Sequence, residues 1–230
     1  MKILIVSATL FEVKNLVERW TPVVVIPNRL YHFNGKGLQV DILATGIGMV
    51  PAAFHIGKRI AGNRYDLAIN AGICGSYHPD IALGSVFHVI EERLPEAGVV
   101  EKGVLRNLFD LGLVSPDEDP YEDGRLINRS IPEIKTIDRL KKVTGNTVNT
   151  LQTDPVQIKR LLAHSPADVE SMEGAAFLFA CLNEKIPSAQ IRAVSNYVGE
   201  LDKRKWEIRL AVRNLDETLM EILGEMRNKE

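Results

Sequence analysis

An acidic residue at the end of a short apolar run gives the first indication of chemistry in this chain. Residues 168–177 read as a short strand that passes directly into a helix rich in small residues, with Glu173 at the junction. Open α/β sheets place their ligands at such junctions. One carboxylate there can accept two hydrogen bonds, which suits a vicinal diol such as ribose O2′ and O3′. A glutamate favoured only by the helix dipole is the alternative for this residue taken alone.

Other polar or small residues also follow predicted strands, where they could meet Glu173. The carboxyl ends of parallel strands share one edge of a sheet, and ligands bind at that edge. The residues that qualify are Glu12, Ile73, Cys74, Gly75, Ser76, Asn149, Thr150, Met172, Arg192, Ser195 and Asn196. Cys74 could be a nucleophile, but no histidine stands in an evident partnering position, which favours a small packed thiol.

The segment Thr45–Met49 follows a strand, precedes a helix and carries a Gly-x-Gly pattern typical of phosphate-cradling loops. A lone Gly-x-Gly is weak support for such a loop, and the full dinucleotide-binding spacing is absent. A tight turn that lets the helix pack on the strand is therefore the favoured interpretation.

Hydrophobic patterns predict an α/β scaffold that opens with a strand and a helix, as doubly wound folds do. The predicted strands are residues 3–8, 23–26, 30–33, 38–44, 66–70, 85–91, 147–151, 168–170 and 190–194. The predicted helices are residues 10–17, 50–61, 155–162, 173–183 and 205–226. Residues 34–37 (Asn-Gly-Lys-Gly) are expected to join two of the strands as a hairpin.

Residues 93–132 are the least regular part of the chain, because several prolines and glycines interrupt them. An apolar stretch at residues 104–111 lies inside this segment. Long insertions with their own apolar residues are often lids or subunit contacts. A plain surface excursion explains the pattern equally well. We therefore predict one domain over residues 1–230 with an irregular insertion at about 93–132.

Composition excludes several classes of partner. A length of 230 residues fits one α/β domain with a sizeable core, and a net charge of −2 leaves no basic surplus for nucleic acid. Two cysteines imply no disulfide framework and favour a cytoplasmic setting. No apolar run approaches the roughly 20 residues of a membrane span. The five histidines show no metal-ligand spacing, so no metal site is predicted.

Together these segments resemble the nucleoside phosphorylase and nucleosidase superfamily, most closely its hydrolases. The matching motifs are residues 44–48 (Ala-Thr-Gly-Ile-Gly), 70–75 (Asn-Ala-Gly-Ile-Cys-Gly), 171–176 (Ser-Met-Glu-Gly-Ala-Ala) and 192–196 (Arg-Ala-Val-Ser-Asn), together with Glu12. The resemblance implies a single-domain three-layer α/β sandwich with a central twisted mixed sheet. It also implies a small-molecule nucleoside substrate, no cofactor and a homo-oligomer, a dimer or higher.

The resemblance further implies a role for each matching residue. Met172 and Glu173 correspond to the pair that holds the ribose. Glu12 corresponds to the carboxylate that polarises the attacking water, and Arg192 to the arginine near that water. Further substrate contacts are expected from Ile73, Cys74, Gly75, Asn149, Thr150 and Ser195.

One departure from the family pattern bears on the base. Asn196 stands where methylthioadenosine/adenosylhomocysteine nucleosidases carry an aspartate that protonates purine N7. Released hypoxanthine accepts at O6 and donates at N7–H, which an asparagine amide matches, whereas adenine would leave buried polar groups unpaired. One such mismatch costs about 1–3 kcal/mol. We therefore expect a 6-oxopurine nucleoside; an asparagine that merely caps the strand end is the alternative.

Water is expected as the nucleophile rather than phosphate. Phosphorylases of this superfamily need a cationic phosphate site, typically with an arginine before the glycine of the Ala-Gly-Ile-Cys-Gly segment. Here Asn70 occupies that neighbourhood, and Ile73 stands where a phosphate-binding hydroxyl would be expected. Glu12 facing the same volume would repel a dianion.

Within the superfamily, the combination of Glu12, Met-Glu and Ser-Asn resembles the futalosine hydrolases of menaquinone biosynthesis, which release hypoxanthine. Their substrate carries a benzoate-like 5′ arm, for which Arg106, Leu108 and Phe109 are candidate contacts. The alternatives are a methylthioadenosine-type nucleosidase that tolerates asparagine, a phosphorylase, and a non-catalytic protein that binds purine nucleosides.

Overall fold

A mixed β-sheet runs through the centre of the computed structural model, which describes residues 1–35, 37–101 and 104–227. Its strands, with one separate hairpin, are β1 (Lys2–Ser7), β2 (Val24–Ile26), β3 (Leu30–Gly35), β4 (Leu38–Ala44), β5 (Leu67–Ser76), β6 (Val86–Arg93), β7 (Gly98–Glu101), β8 (Val104–Asn107), β9 (Leu126–Ile127), β10 (Lys142–Thr147), β11 (Val169–Ser171) and β12 (Ser188–Tyr197). The helices are α1 (Lys14–Arg19), α2 (Met49–Ala61), α3 (Lys135–Arg139), α4 (Pro155–His164), α5 (Gly174–Asn183) and α6 (Ile208–Arg227). Short 3-10 turns at Leu10–Val13 and Lys203–Lys205 precede α1 and α6.

The ten-stranded sheet has the order β11-β10-β6-β12-β5-β1-β4-β3-β2, and β9 pairs with β6. The centre is parallel: β1 lies between β4 and β5, and β12 lies parallel to β5. β11 pairs with both β10 and β5, so that β5, β12, β6, β10 and β11 close into a ring. The closed ring places the ends of β5, β11 and β12 beside one another. β7 and β8 form a hairpin of their own.

Helices cover both faces of the sheet, which gives three layers. On one face α1, α3 and α6 contribute Leu16, Ile137 and Leu219 to a core with Ile5 and Ile69. On the other face α2 and α5 contribute Ile56, Phe177 and Leu178 to a second core, which also contains Leu4, Val6 and Ala68 of the sheet. The predicted fold class, a three-layer α/β sandwich with a mixed sheet, is confirmed.

Local signals in the sequence account for several boundaries. Asp154 accepts a hydrogen bond from the Val156 N–H at 2.8 Å and Pro155 occupies the first turn, so α4 begins where the sequence predicted. The predicted hairpin is present as β3 and β4, and its turn residue Lys36 lies outside the described residues. Within the described ranges, no helix combines the length and apolar character needed to cross a membrane.

The strand predicted at residues 147–151 is wrong, because β10 occupies Lys142–Thr147 instead. Glycine is disfavoured in strands, and Gly145 lies inside this one. In the structure, a Cβ at Gly145 would lie 2.6 Å from Glu92 Oε1, so that close approach requires glycine there. A tertiary contact therefore overrides the local propensity.

Further boundaries and elements differ from the prediction. β5 and β12 continue past their predicted ends, so Ile73–Gly75 and Ser195–Asn196 lie within strands rather than in loops. The closing helix begins at Ile208 rather than residue 205, because a 3-10 turn capped by Asp202 precedes it. α3, with five residues, is too short to show helical periodicity, and residues 93–132 contain β7, β8 and β9.

Candidate active site

Glu12 lies in the 3-10 turn Leu10–Val13, and its carboxylate is buried. Oε2 accepts hydrogen bonds from the Ser7 hydroxyl at 3.1 Å and from the Thr9 N–H and hydroxyl, both at 2.9 Å. Oε1 accepts from the Ile73 N–H at 3.0 Å, which ties the turn to β5. The bond from the Thr9 N–H is half of a capping box, so the local sequence itself orients this side chain.

Arg192 brings a buried cation to the same place. It lies on β12 opposite Gly72 of β5, where any Cβ would collide with its guanidinium and would lie 2.9 Å from Glu12 Oε1. Nη1 donates to the Ile73 carbonyl at 3.4 Å and lies 3.9 Å from Glu173 Oε2. Nε and Nη2 have no partner among the described residues. Buried donors are rarely left without partners outside functional sites, so this guanidinium is suited to a polar ligand.

Glu173 is the N-cap residue of α5 and faces Arg192. Its Oε1 accepts a hydrogen bond from the Gly48 N–H at 2.8 Å, and Gly48 has a φ of 97°, a left-handed conformation that favours glycine. The Gly-x-Gly segment is therefore a tight turn that holds a carboxylate. Burial raises the pKa of Glu173; Arg192 and the Gly48 N–H oppose that rise, and Glu12 adds to it.

A β-bulge in β12 presents Asn196. The register with β5 shifts at Ser195, after which Asn196 pairs with Gly75. Bulges re-aim side chains and recur beside active sites. The Ser195 hydroxyl lies 2.7 Å from Asn196 Oδ1, to which it donates, and 3.2 Å from the Cys74 carbonyl oxygen. Asn196 Nδ2 donates to the Tyr197 carbonyl at 3.2 Å. Because a carbonyl can only accept, the Tyr197 carbonyl identifies its partner as the amide nitrogen and leaves Oδ1 to the Ser195 hydroxyl.

Cys74 is buried in β5, and burial raises the pKa of its thiol to about 12. A thiol with this pKa holds almost no thiolate near neutral pH, and the thiolate is the nucleophilic form. The packed-thiol interpretation is therefore favoured over a nucleophile, and the expected contact of Cys74 with the substrate stays a prediction.

Glu92 was not singled out as a site residue from the sequence, although its Oε1 closely approaches Gly174, the residue after Glu173. Glu92 is fully buried, accepting from the Gln190 side chain at 2.5 Å and from the Thr147 hydroxyl at 2.8 Å. The Thr147 hydroxyl also accepts from the Ala175 N–H at 2.7 Å, in the first turn of α5. Burial raises the pKa of Glu92 to about 7. An acidic residue at the end of an apolar strand was the available signal.

Glu170 was also missed. It is buried on β11, and its Oε2 accepts from the Tyr77 hydroxyl at 2.7 Å. Burial raises the pKa of Glu170 to about 7, the Tyr77 hydrogen bond opposes the rise, and the negative charge of Glu96 adds to it. Buried carboxyl groups with displaced pKa values cluster at functional sites.

Asn149 and Thr150 line a cavity of about 800 Å³ between α4 and the β7–β8 hairpin. Val100 and Leu105 supply apolar walls, and Arg160 of α4 supplies a cation. The cavity adjoins the elements expected to bind the sugar. The Val148 N–H, just before Asn149, donates at 2.9 Å to the carbonyl of Ser171, the last residue of β11. Met172, half-buried, follows that carbonyl in the chain.

The three residues predicted for the 5′ arm do not line this cavity. Arg106 donates to the Asp110 carbonyl at 3.1 Å, and Phe109 packs edge-on against Tyr121 with ring centroids 5.2 Å apart. Leu108 lies half-buried beside them. The assignment of these residues to the 5′ arm stays a prediction, and the structure offers Leu105 and Arg160 as alternatives.

Residues 2–224 match the family model described as the phosphorylase superfamily. The chain belongs to the phosphorylase superfamily. It is 31% identical over 193 residues to the futalosine hydrolase of Thermus thermophilus, covering 83% of this chain and 84% of that protein. It is 27% identical over 244 residues to the 5'-methylthioadenosine/S-adenosylhomocysteine nucleosidase of Colwellia psychrerythraea, covering 100% and 98%.

A solved structure of the Colwellia psychrerythraea nucleosidase, in complex with adenine, has a TM-score of 0.79 and 23% identity, covering 98% of this chain and 95% of that chain. At this identity the likeness shows the fold. The resemblance read from the sequence motifs is confirmed, and the chain is an N-glycosyl hydrolase of the phosphorylase superfamily.

In this phosphorylase-superfamily enzyme, the contacts above bring three of the predicted site residues together. Glu12 and Arg192 meet over Gly72, and Arg192 faces Glu173. Asn196 lies at Gly75, three residues further along β5. Two carboxylates, one guanidinium and one oriented amide can stabilise a cationic sugar, a water and a leaving base. Within the described ranges, no group of three or more potential ligands could hold a metal ion.

Proposed function

We propose that this enzyme hydrolyses the N-glycosidic bond of a 6-oxopurine nucleoside, and that its substrate is futalosine. The products would be hypoxanthine and dehypoxanthine futalosine, in menaquinone biosynthesis. The observation that carries the proposal is the side-chain amide of Asn196, whose acceptor end is held by the Ser195 hydroxyl at 2.7 Å.

The amide matches the leaving base because its two ends differ. Asn196 Nδ2 would donate to O6 of hypoxanthine, and Oδ1, which has a second lone pair, would accept from N7–H. Adenine would present a donor to Nδ2 instead of an acceptor. Because the Tyr197 carbonyl can only accept, the amide flip that would suit adenine would set Oδ1 against another acceptor. The mismatch disfavours 6-aminopurines by about 1–3 kcal/mol.

Cleavage builds positive charge on the sugar and negative charge on the base, so groups that bind those charges accelerate the reaction. Glu173 would accept from O2′ and O3′ and stabilise the cationic sugar. Glu12 would orient and deprotonate the water on the opposite face of the sugar, and the free donors of Arg192 would hold that water. Met172 would pack against the ribose, beside the first turn of α5.

Water is favoured over phosphate by the charge of this volume. Arg192 is the cation that lies against Glu173. Glu12 and Glu92 are further buried acids nearby. A dianionic phosphate would meet more negative than positive charge there. Asn70, at the position where phosphorylases carry an arginine, is buried and neutral.

The cavity beside Asn149 supports a substrate with a large 5′ arm. Its apolar walls, Val100 and Leu105, suit an aromatic ring. Arg160 makes no ion pair with the described residues and would pair with a terminal carboxylate. We also propose a cytoplasmic homo-oligomer, following the two free cysteines and the family resemblance.

The test is release of base in phosphate-free buffer, with futalosine, inosine and methylthioadenosine supplied side by side. Hypoxanthine from futalosine at the highest kcat/KM is the expected result. Faster release of adenine from methylthioadenosine would favour the second candidate, an adenine-specific nucleosidase, which the full-length match to the Colwellia enzyme supports. Acceleration by added phosphate would indicate a phosphorylase, and tight nucleoside binding without base release a non-catalytic protein.

A further inference from the structure

Glu170 lies across one strand from Asn196. On one edge of β5, Gly75 pairs with Asn196; on the other edge, it pairs antiparallel with Glu170. Side chains of directly paired residues lie on the same face of a sheet. The register therefore sets the carboxyl group of Glu170 and the amide of Asn196 on one face, with Gly75 between them.

The absence of a side chain at Gly75 leaves room for both groups to converge. A Cβ built there would lie 3.3 Å from Asn196 Nδ2, 3.4 Å from Glu170 Cγ and 3.1 Å from Val198 Cγ2. The atom of Asn196 nearest this point is its donor nitrogen, whereas Oδ1 is bound to the Ser195 hydroxyl. The order of groups along this face is therefore acceptor, donor, carboxyl.

Glu170 is buried without a cation to balance it. Within the described ranges, its one hydrogen bond comes from the Tyr77 hydroxyl at 2.7 Å, and no lysine, arginine or histidine forms an ion pair with it. The negative charge of Glu96 further disfavours the ionised form and raises the pKa of Glu170. Burying an unbalanced carboxyl group costs stability, which points to a functional reason for keeping it.

The edge of a 6-oxopurine presents the complementary order. N7–H donates, O6 accepts and N1–H donates, in that sequence around the ring. We infer that Glu170 is a specificity-determining residue that accepts the N1–H of a 6-oxopurine whose N7 and O6 are held by Asn196. The inference rests on the proposed function, since it names a further contact of the same base. A 6-aminopurine has an unprotonated N1, which would face the carboxylate with a lone pair.

The experiment compares two free bases, hypoxanthine and 1-methylhypoxanthine, as ligands of the intact enzyme. The second base lacks the N1–H and is otherwise the same at O6 and N7. Dissociation constants measured by calorimetry give the ratio of 1-methylhypoxanthine to hypoxanthine for each variant. Replacing N1–H should weaken binding to the parent by about 5- to 150-fold, since one buried polar group loses its partner.

Glu170→Leu removes the acceptor while keeping similar bulk beside the methyl group, so its ratio should fall clearly below that of the parent. Glu170→Gln keeps a neutral acceptor of the same shape, so its ratio should fall below that of the parent but stay above one. This second variant decides the matter if the leucine variant does not fold. A change that only loosened the fold would weaken both bases together and leave the ratio unchanged.

Asp216→Asn is the matched control, because Asp216 is another buried acid whose pKa is raised by burial, on α6. Its ratio should equal that of the parent. A parent ratio near one, or a ratio that survives Glu170→Leu or Glu170→Gln unchanged, would overturn the inference. Release of hypoxanthine from futalosine is measured separately, so a hydrolase that ignores N1 refutes the role of Glu170 and leaves the proposed function standing.

Discussion

Two clusters of buried charge lie in this molecule, and they are balanced in opposite ways. One surrounds Asp41 in the interior of β4; the other surrounds Glu173 and Arg192 at the ends of β5, β11 and β12. Both are largely inaccessible to water. In the first the carboxylate is fully paired, and in the second acids outnumber the cation.

The Asp41 cluster satisfies its charge completely. Asp41 accepts from the Tyr65 hydroxyl, from Arg59 Nη2 at 2.5 Å and from His32 Nδ1 at 2.5 Å, and Lys2 Nζ lies 3.9 Å away. Burial alone would raise the pKa of Asp41, but the bonds from Tyr65, Arg59 and His32 outweigh it and lower that pKa. The cluster joins β3, β4, α2 and the chain before β5.

The second cluster leaves its groups under-paired. Burial raises the pKa values of Glu92, Glu170 and Glu173, and the one arginine against Glu173 keeps two nitrogens without partners among the described residues. Such an arrangement costs stability, whereas a substrate with a diol, a developing cation and a polar base would complete it. The comparison separates charge kept for the fold from charge kept for the ligand.

Glu12→Gln should have the largest effect on catalysis. If Glu12 is the general base, kcat should fall by about 10²–10⁴. Steady-state release of base measures the change, and calorimetric binding of hypoxanthine checks that the base site survives. An unchanged kcat would exclude Glu12 from the proton transfer.

Asp41→Asn should have the largest effect on stability and little on kcat. Removing one charge of a buried pair leaves the other charges uncompensated, which costs about 3–5 kcal/mol. Urea unfolding measures the loss, and kcat per folded molecule should stay near the parent value. A fall in kcat that matched the Glu12 variant would remove the distinction between the two clusters.

Local sequence predicted the site elements best where the signals lie within one element. The capping box around Glu12, the Asp154-Pro155 start of α4 and the Ser-Met-Glu start of α5 depend on neighbouring residues. The bounds of β10 were not predicted, because the glycine inside it is required by a contact with Glu92, which is distant in sequence.

Glu170 could not be predicted as a site residue for a related reason, whereas Glu92 carried the signal of an acidic residue at the end of an apolar strand. The proximity of Glu170 to Asn196 depends on the closing of the ring by β11, which pairs with both β10 and β5. A three-residue strand with two partners leaves no periodic signature. Glu170 therefore reads as an ordinary polar position until the pairing is known.

Asn196→Asp tests the base side of the second cluster with an intermediate effect. The carboxyl group loses the donor that would face O6, so kcat/KM for the 6-oxopurine nucleoside should fall by about 5- to 150-fold. Thermal unfolding should change little, because Asn196 is only half-buried. Hydrolysis of futalosine at the parent rate would contradict the assigned role of the amide.

Glu92→Gln should produce the smallest effect, seen as a change in how stability depends on pH. The pKa of Glu92 is about 7 when folded, above the ordinary value of 4.5, so the folded state holds its proton more tightly. That contribution stabilises the parent below about pH 4.5 and is lost as pH rises through about 7. The variant lacks the titrating group, so its Tm relative to the parent should rise as pH increases between those limits. A parallel pair of Tm curves would mean that Gln190 and Thr147 keep Glu92 ionised, and that this acid belongs with the balanced charge around Asp41.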